Sequence, residues 1–253
     1  MNLTSVPLLD VLRERMSWLS ARQNVLSQNV ANADTPGYKT QRVLFTDWLS
    51  RQGSSGGSTG AGGEPTIAYV QDRATWRDQS AGSLAHTGNP FDLALKGDGY
   101  FTVSTPAGPR LTRNGRFGLL PDGTLADMAG NAALDDGGQP IKLRPGDTDV
   151  TIAADGTLSG STGQLGKIGV VQPSDPMRVT AEGATMFRAD VPTAPVTSPG
   201  IVQGATEGSN VQPVLETTRM MDGMRQFQFV SALVQAEDDR QQSSIDKILP
   251  QGT

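Results

Sequence analysis

Between residues 6 and 33, apolar side chains recur in alternating steps of three and four, at Leu9, Leu12, Met16, Leu19, Leu26, Val30 and Ala33, interrupted only by Gln23. That spacing predicts an α-helix with a narrow a/d seam, and Pro36-Gly37 marks its end. The same alternation returns near the other terminus at Met220, Met224, Phe227, Ser231, Val234, Asp238, Gln241, Ile245 and Ile248. This second seam is weaker, because polar residues occupy three of its positions. Ser209-Asn210 offers an N-cap, Pro213 suits a first turn and Glu216 would sit near the positive end of the helix dipole. Gly223 inside the pattern costs about 1 kcal/mol of helix propensity, and Pro250 stops the helix.

The middle of the chain reads differently. Residues 51–63 (RQGSSGGSTGAGG) form a Gly/Ser linker with no side chains able to build a core. From 66 to 204 short apolar or alternating runs predict strands, at 67–70, 91–95, 100–103 and 168–171. Asp98-Gly99, Asp122-Gly123, Asp136-Gly137 and Asp155-Gly156 supply turns between them, and the tetrapeptide Asp-Gly-Thr-Leu occurs twice. The predicted fold is therefore α+β: an N-terminal helix and turn over 1–50, a linker over 51–65, a mainly antiparallel β body over 66–204, and a C-terminal helix over 205–253 that pairs with the first. Neither helix can shield its seam alone, and a pair would still leave apolar surface. Stacked copies would solve that collectively, which makes Leu12, Met16, Leu19, Leu26, Val30, Met220, Met224, Phe227, Val234 and Ile245 the candidate assembly seam.

Composition narrows the function classes. Among 253 residues there are 30 Gly and 16 Pro with only 5% aromatics, which favours a turn-rich β body over a dense α/β core. A net charge of −5 gives no basic footprint for nucleic acid. No apolar run is long enough for a membrane span, and Asp10, Arg13, Glu14, Arg15 and Arg22 interrupt the N-terminal pattern where a Sec signal needs an unbroken apolar stretch, so the chain is expected to be either cytoplasmic or exported by a route without a cleaved signal peptide. The chain has no cysteine, hence no disulfide or thiolate chemistry.

No catalytic constellation emerges. Gly53-Ser54-Ser55-Gly56-Gly57 satisfies G-x-S-x-G, but a nucleophile elbow needs a strained strand-to-helix turn and this match lies in the linker. Gly163–Lys167 approaches a phosphate loop, yet Ser161 stands where its first glycine belongs and Ile168 where a hydroxyl must reach magnesium. His86 is the only histidine and has no local partner motif, and Asp122, Thr124 and Asp127 are too sparse for a calcium loop. Neither a catalytic residue nor a cofactor, metal or small-molecule substrate is expected.

Residues 26–39 (LSQNVANADTPGYK) resemble the N-terminal signature of flagellar axial proteins: Asn29 and Asn32 three apart, then the break Thr35-Pro36-Gly37-Tyr38. Residues 87–101 (TGNPFDLALKGDGYF), 111–117 (LTRNGRF) and 207–211 (EGSNV) are similar to further segments of the rod subunits, spreading the likeness over nearly the whole chain. The length fits the FlgF and FlgG types of the flagellar basal-body rod family. Residues 43–49 (VLFTDWL), 70–73 (VQDR) and 236–240 (AEDDR) look more like the FlgF type, with the FlgG type as the alternative. The resemblance implies a structural subunit of the proximal rod crossing the periplasm, polymerising through its terminal helices into a torque-transmitting shaft. It also implies other rod subunits and the flagellar type III export apparatus as partners, and passage out of the cytoplasm in unfolded form without a cleaved signal. A secreted β-domain binding module is the rival from another class, but it leaves both seams unexplained.

Overall fold

A computed structural model describes the backbone of residues 5–50, 67–144, 147 and 149–248. The linker expected at 51–63 lies outside the described residues. Helix α1 (Ser5–Ala31) is followed by the paired strands β1 (Gln41–Ser50) and β2 (Ile67–Arg77). The body then runs through β3 (Leu84–His86), β4 (Leu93–Leu95), β5 (Tyr100–Thr105), β6 (Gly108–Thr112), β7 (Phe117–Leu119), β8 (Leu125–Asp127) and β9 (Ala132–Ala133). It continues with β10 (Thr151–Ile152), β11 (Thr157–Gly160), β12 (Gly163–Lys167), β13 (Val170–Pro173), β14 (Val179–Ala181), β15 (Met186–Ala189), β16 (Thr193–Pro195), β17 (Ile201–Gln203) and β18 (Ala205–Glu207). Helix α2 (Pro213–Ile248) closes the chain. The fold is α+β with a central, mainly antiparallel β region, as the sequence predicts.

The chain divides at other points than the sequence suggests. Residues 1–30, 41–76 and 213–253 make up one compact unit, and residues 31–40 with 77–212 the other. The turn after α1 therefore belongs with the β body, while β1, which the sequence reading leaves within a helix-and-turn segment, belongs with the two helices. The N-cap expected at Ser209-Asn210 is displaced as well: α2 begins at Pro213, and the Asn210 side chain is used elsewhere in the β unit.

Strand β5 organises the β unit. It pairs with β6 along one edge, while β13 and β9 share the other through Phe101↔Val170 and Val103↔Ala133. Alternation sends Phe101 and Val103 into the main core with Leu93, Leu95, Phe117, Leu125, Leu158 and Ile168, where Phe101 meets Phe117 edge-on at 5.5 Å. Tyr100 points the other way, into a second cluster with Leu111 and Phe187. Both faces of β5 are thus covered, which accounts for the continuous run of apolar and aromatic residues that the sequence carries there.

The repeated tetrapeptide is one turn used twice. Asp122 accepts from the N–H and hydroxyl of Thr124 at 3.0 and 2.8 Å, and Asp155 does the same with Thr157 at 3.0 and 2.9 Å. Gly123 and Gly156 take left-handed φ of 80° and 94°. The Thr124 hydroxyl above all holds the Asp122 carboxyl below its ordinary pKa, and the Thr157 N–H above all does so for Asp155. A depressed folded pKa contributes stability above the unfolded value of about 3.9 that is lost as pH falls through the folded value. The double variant Asp122→Ala/Asp155→Ala should therefore have a lower urea midpoint than the wild type at pH 7, with a smaller gap at pH 3. An equal gap at both pH values would show that the carboxylates do not act through their charge.

Candidate functional site

The two helices meet through Leu12, Leu19 and Val230, with Met16, Trp18 and Val234 packed against them. Leu9, Val25 and Leu26 are also buried on α1, and Val30 is half-buried. On α2 the inward positions are Glu216, Gly223 and Val230, all buried, with Met220, Val234, Glu237 and Gln241 half-buried. These are again steps of three and four, but the register passes through Gly223 and Val230 where the apolar pattern pointed to Met224 and Ser231. Met224 and Phe227 are 45% and 37% exposed in the single chain. The Ile245 side chain lies outside the described residues.

The reason is visible where the helices touch. A Cβ at position 223 would lie 3.1 Å from Oε1 of Gln23. Gln23 is the polar break in the first seam and Gly223 the weak point of the second. The missing side chain makes room for the long amide, so each irregularity accommodates the other.

The signature residue Asn29 is fully buried and uses its whole amide. Its Nδ2 donates to the Gln41 carbonyl at 2.9 Å and to Glu216 Oε2 at 3.0 Å, while its Oδ1 accepts from the Gln41 N–H at 2.9 Å. It thus stands in for a neighbouring strand at the start of β1. The other carboxylate oxygen of Glu216 accepts from Arg42 at 2.9 Å and from Arg219 at 2.7 Å. At 1% side-chain exposure this carboxylate is out of water, and three donors replace its hydration.

The rest of the signature shapes the turn over 31–40, in the β unit. The Thr35 hydroxyl donates to Asn32 Oδ1 at 3.2 Å, and the Tyr38 N–H donates to the Thr35 carbonyl at 3.2 Å, closing a turn around Pro36-Gly37. Gly37 has φ +72°, its N–H donates to the Glu207 carbonyl at 2.7 Å, and a Cβ there would lie 2.4 Å from the backbone nitrogen of Asn114. Both the left-handed φ and the close approach require glycine. Tyr38 is buried, its ring 5.2 Å from the Arg77 guanidinium.

Behind the turn lies a second buried acid. Glu207 Oε1 accepts from Lys39 Nζ at 2.6 Å and from the Gly82 N–H at 3.0 Å, and its Oε2 accepts from Arg113 at 3.2 Å. Lys39 Nζ also donates to the Ser80 carbonyl at 2.8 Å. Burial pushes the Lys39 amine below its ordinary pKa against the opposing pull of Glu207. Asn210 closes the same region: its Oδ1 accepts from the Thr40 N–H and hydroxyl, and its Nδ2 donates to the carbonyls of Asp78 and Ser80.

Sequence reasoning missed Val230, Gly223, Lys39, Arg113 and the buried pairing roles of Glu207, Glu216 and Asn210. A charged residue in a polar stretch carries no local mark of burial, so spacing alone could not have found them. His86 is exposed on β3. Among the described residues no group of three or more His, Cys, Asp or Glu is placed to hold a metal ion, and no helix is long and apolar enough to cross a membrane.

Three family models match the chain: the flagella basal body rod protein model over residues 9–39, the flagellar hook protein FlgE/F/G D1 domain over 94–160, and the flagellar basal body rod FlgEFG protein C-terminal domain over 202–247. A flagellar basal-body rod protein FlgF of Caulobacter vibrioides is 33% identical over 236 residues, covering 92% of this chain and 94% of the relative. The FlgF of Mesorhizobium japonicum is 37% identical over 220 residues, covering 85% and 87%. A FlgG of Bacillus subtilis matches at 30% over 258 residues, covering 90% and 96%.

The Glu207 cluster sets a direct expectation. Glu207→Gln keeps the shape but leaves Lys39 and Arg113 buried without a counter-charge, which should destabilise the β unit by about 3–5 kcal/mol. Losing the carboxylate removes the pull that raises the Lys39 pKa, so the folded pKa drops further below the unfolded one. The variant should then regain stability as pH rises from that folded value toward the unfolded value. Thermal melts between pH 7 and pH 10 measure both effects. A melt within about 0.5 kcal/mol of wild type would mean that this pairing is dispensable.

Proposed function

The chain belongs to the flagellar basal-body rod family of FlgF and FlgG proteins, and from that premise we propose how it works. It is a structural subunit of the bacterial flagellar basal-body rod, of the FlgF type, and not an enzyme. Its partners are other rod components. Copies join through the terminal helices, and the resulting shaft carries torque across the periplasm. The subunit leaves the cytoplasm through the flagellar type III export apparatus without losing a signal peptide, a route with which a cysteine-free sequence is compatible.

The observation that supports assembly through the helices is the apolar surface left after they pair. Met221, Met224, Phe229 and Leu233 on α2 stay exposed although the seam between α1 and α2 is closed. Several large apolar side chains crowded on one helix are expected to find cover in an assembly. The β unit, whose aromatic residues are largely internal, leaves no comparable group of exposed apolar side chains on one element among the described residues.

Deleting the gene should abolish swimming and leave basal bodies without hooks, and a plasmid copy of the wild-type chain should restore both. An epitope-tagged chain should co-purify with basal bodies. Normal hooks in the deletion strain, or a tagged chain absent from basal bodies of motile cells, would refute the assignment.

A further inference from the structure

The helix pair carries two grooves that differ in character, one on each flank of its seam. The first is lined by Leu12, Arg15, Arg225, Gln226, Phe229 and Leu233, with Phe229 standing out at 70% exposure. The second has a volume of about 420 Å³ and is lined by Leu19, Ser20, Gln23, Asn24, Met224 and Phe227, with Gly223 and Gln228 completing it. At 100° per residue, Arg15, Phe229 and Leu233 fall to one side of the line through Leu19 and Val230, and Ser20, Asn24 and Met224 to the other. One flank presents a knob with two guanidiniums beside it, one of them, Arg225, paired with Asp222 at 3.8 Å. The other presents a hollow with no charged side chain in its lining, bordered by Gly223.

We propose that the Phe229 flank of one copy docks into the Gly223-floored groove of the next, so that neighbouring subunits join by unlike faces of their helix pairs. Three features of the chain select a second copy in this arrangement. The hollow is lined by apolar side chains and amides, and it is large enough for a phenyl ring. The amide carbonyls of Gln23, Asn24 and Gln228 can accept from the guanidiniums of Arg15 and Arg225 without burying an unpaired carboxylate. Two copies of the Phe229 flank would meet knob against knob and leave both hollows empty, whereas unlike faces fill the hollow and keep Arg225 beside its own Asp222, 3.8 Å away. A knob that fits a pocket elsewhere on the same molecule makes a heterologous contact, and such contacts propagate from copy to copy. The inference rests on the rod-subunit reading and adds which surfaces meet.

The cysteine-free chain permits a clean test. Cells would carry Ser20→Cys/Gln226→Cys, one cysteine on each flank, or either single substitution, as the only copy. Isolated basal bodies would be treated with a mild oxidant. The double variant should give a ladder of disulfide-linked dimers and higher oligomers of this chain, and each single variant monomer only. In parallel, Phe229→Ala should abolish hooks while purified subunit keeps its helix content. Monomer only from the double variant in basal bodies that contain the chain would overturn the proposal, as would dimers from Gln226→Cys alone or normal hooks with Phe229→Ala. Each of those results leaves the rod assignment standing. Absence of the wild-type chain from basal bodies would instead refute that assignment.

Discussion

A carboxylate removed from water is unfavourable by several kcal/mol unless other groups replace its hydration, and in the helical unit that constraint falls on Glu216. The first turn of α2 supplies part of the compensation through the helix dipole. The remainder comes from the Asn29 amide, Arg42 and Arg219, at 2.7–3.0 Å. Those donors lie at the end of α1, at the start of β1 and one turn along α2. Three chain segments distant in sequence must therefore arrive together, or the acid stays buried and unpaired. The β unit repeats the device with Glu207, which gathers Lys39, Gly82 and Arg113. Both ends of the segment 29–42, Asn29 and Arg42, are thus held by Glu216, and Lys39 within it is held by Glu207.

With the ends of the helices held in this way, the seam between them can carry irregularities that would weaken a free-standing coiled coil. Gln23 and Gly223 interrupt their own patterns, and the structure sets them against each other. Met224 and Phe227 stay at the surface beside that point, and α2 keeps apolar side chains on both flanks of the seam that its partner helix does not cover. An isolated subunit tolerates such exposure, and the proposed assembly would cover it. The same geometry that closes the pair inside one chain thus prepares the surfaces through which rod subunits are proposed to meet.

Periodicity made the helices and the α+β plan legible, because 3.5-residue spacing and Asp-Gly turns are local signals. The strands at 93–95 and 100–105 were visible for the same reason. At Asp136-Gly137 the local signal was misleading by one residue, since Gly138 takes the left-handed φ of 77°. The α2 register was misread because a hydrophobic pattern gives glycine no weight, and Gly223 sits at an inward position by virtue of having no side chain. The turn at Pro36-Gly37 was placed from the sequence, and in the structure residues 31–40 group with the β unit. Its membership in the β unit depends on Glu207 and Asn114, which lie far away in the chain. The signature asparagine Asn29 was found by resemblance, while its partner Glu216 was read only as a helix-dipole residue, since burial is a property of the fold and not of the neighbouring sequence.

The central claim is that Asn29 and Glu216 act as one unit in holding the helical unit together. A double-mutant cycle tests it directly: Asn29→Ala, Glu216→Ala and the pair, each unfolded in urea and followed by helical circular dichroism. A hydrogen bond to a charged group in a buried site predicts a coupling energy of about 1.5–3 kcal/mol, with the double variant less damaged than the sum of the singles. Strict additivity of the two substitutions would contradict the account.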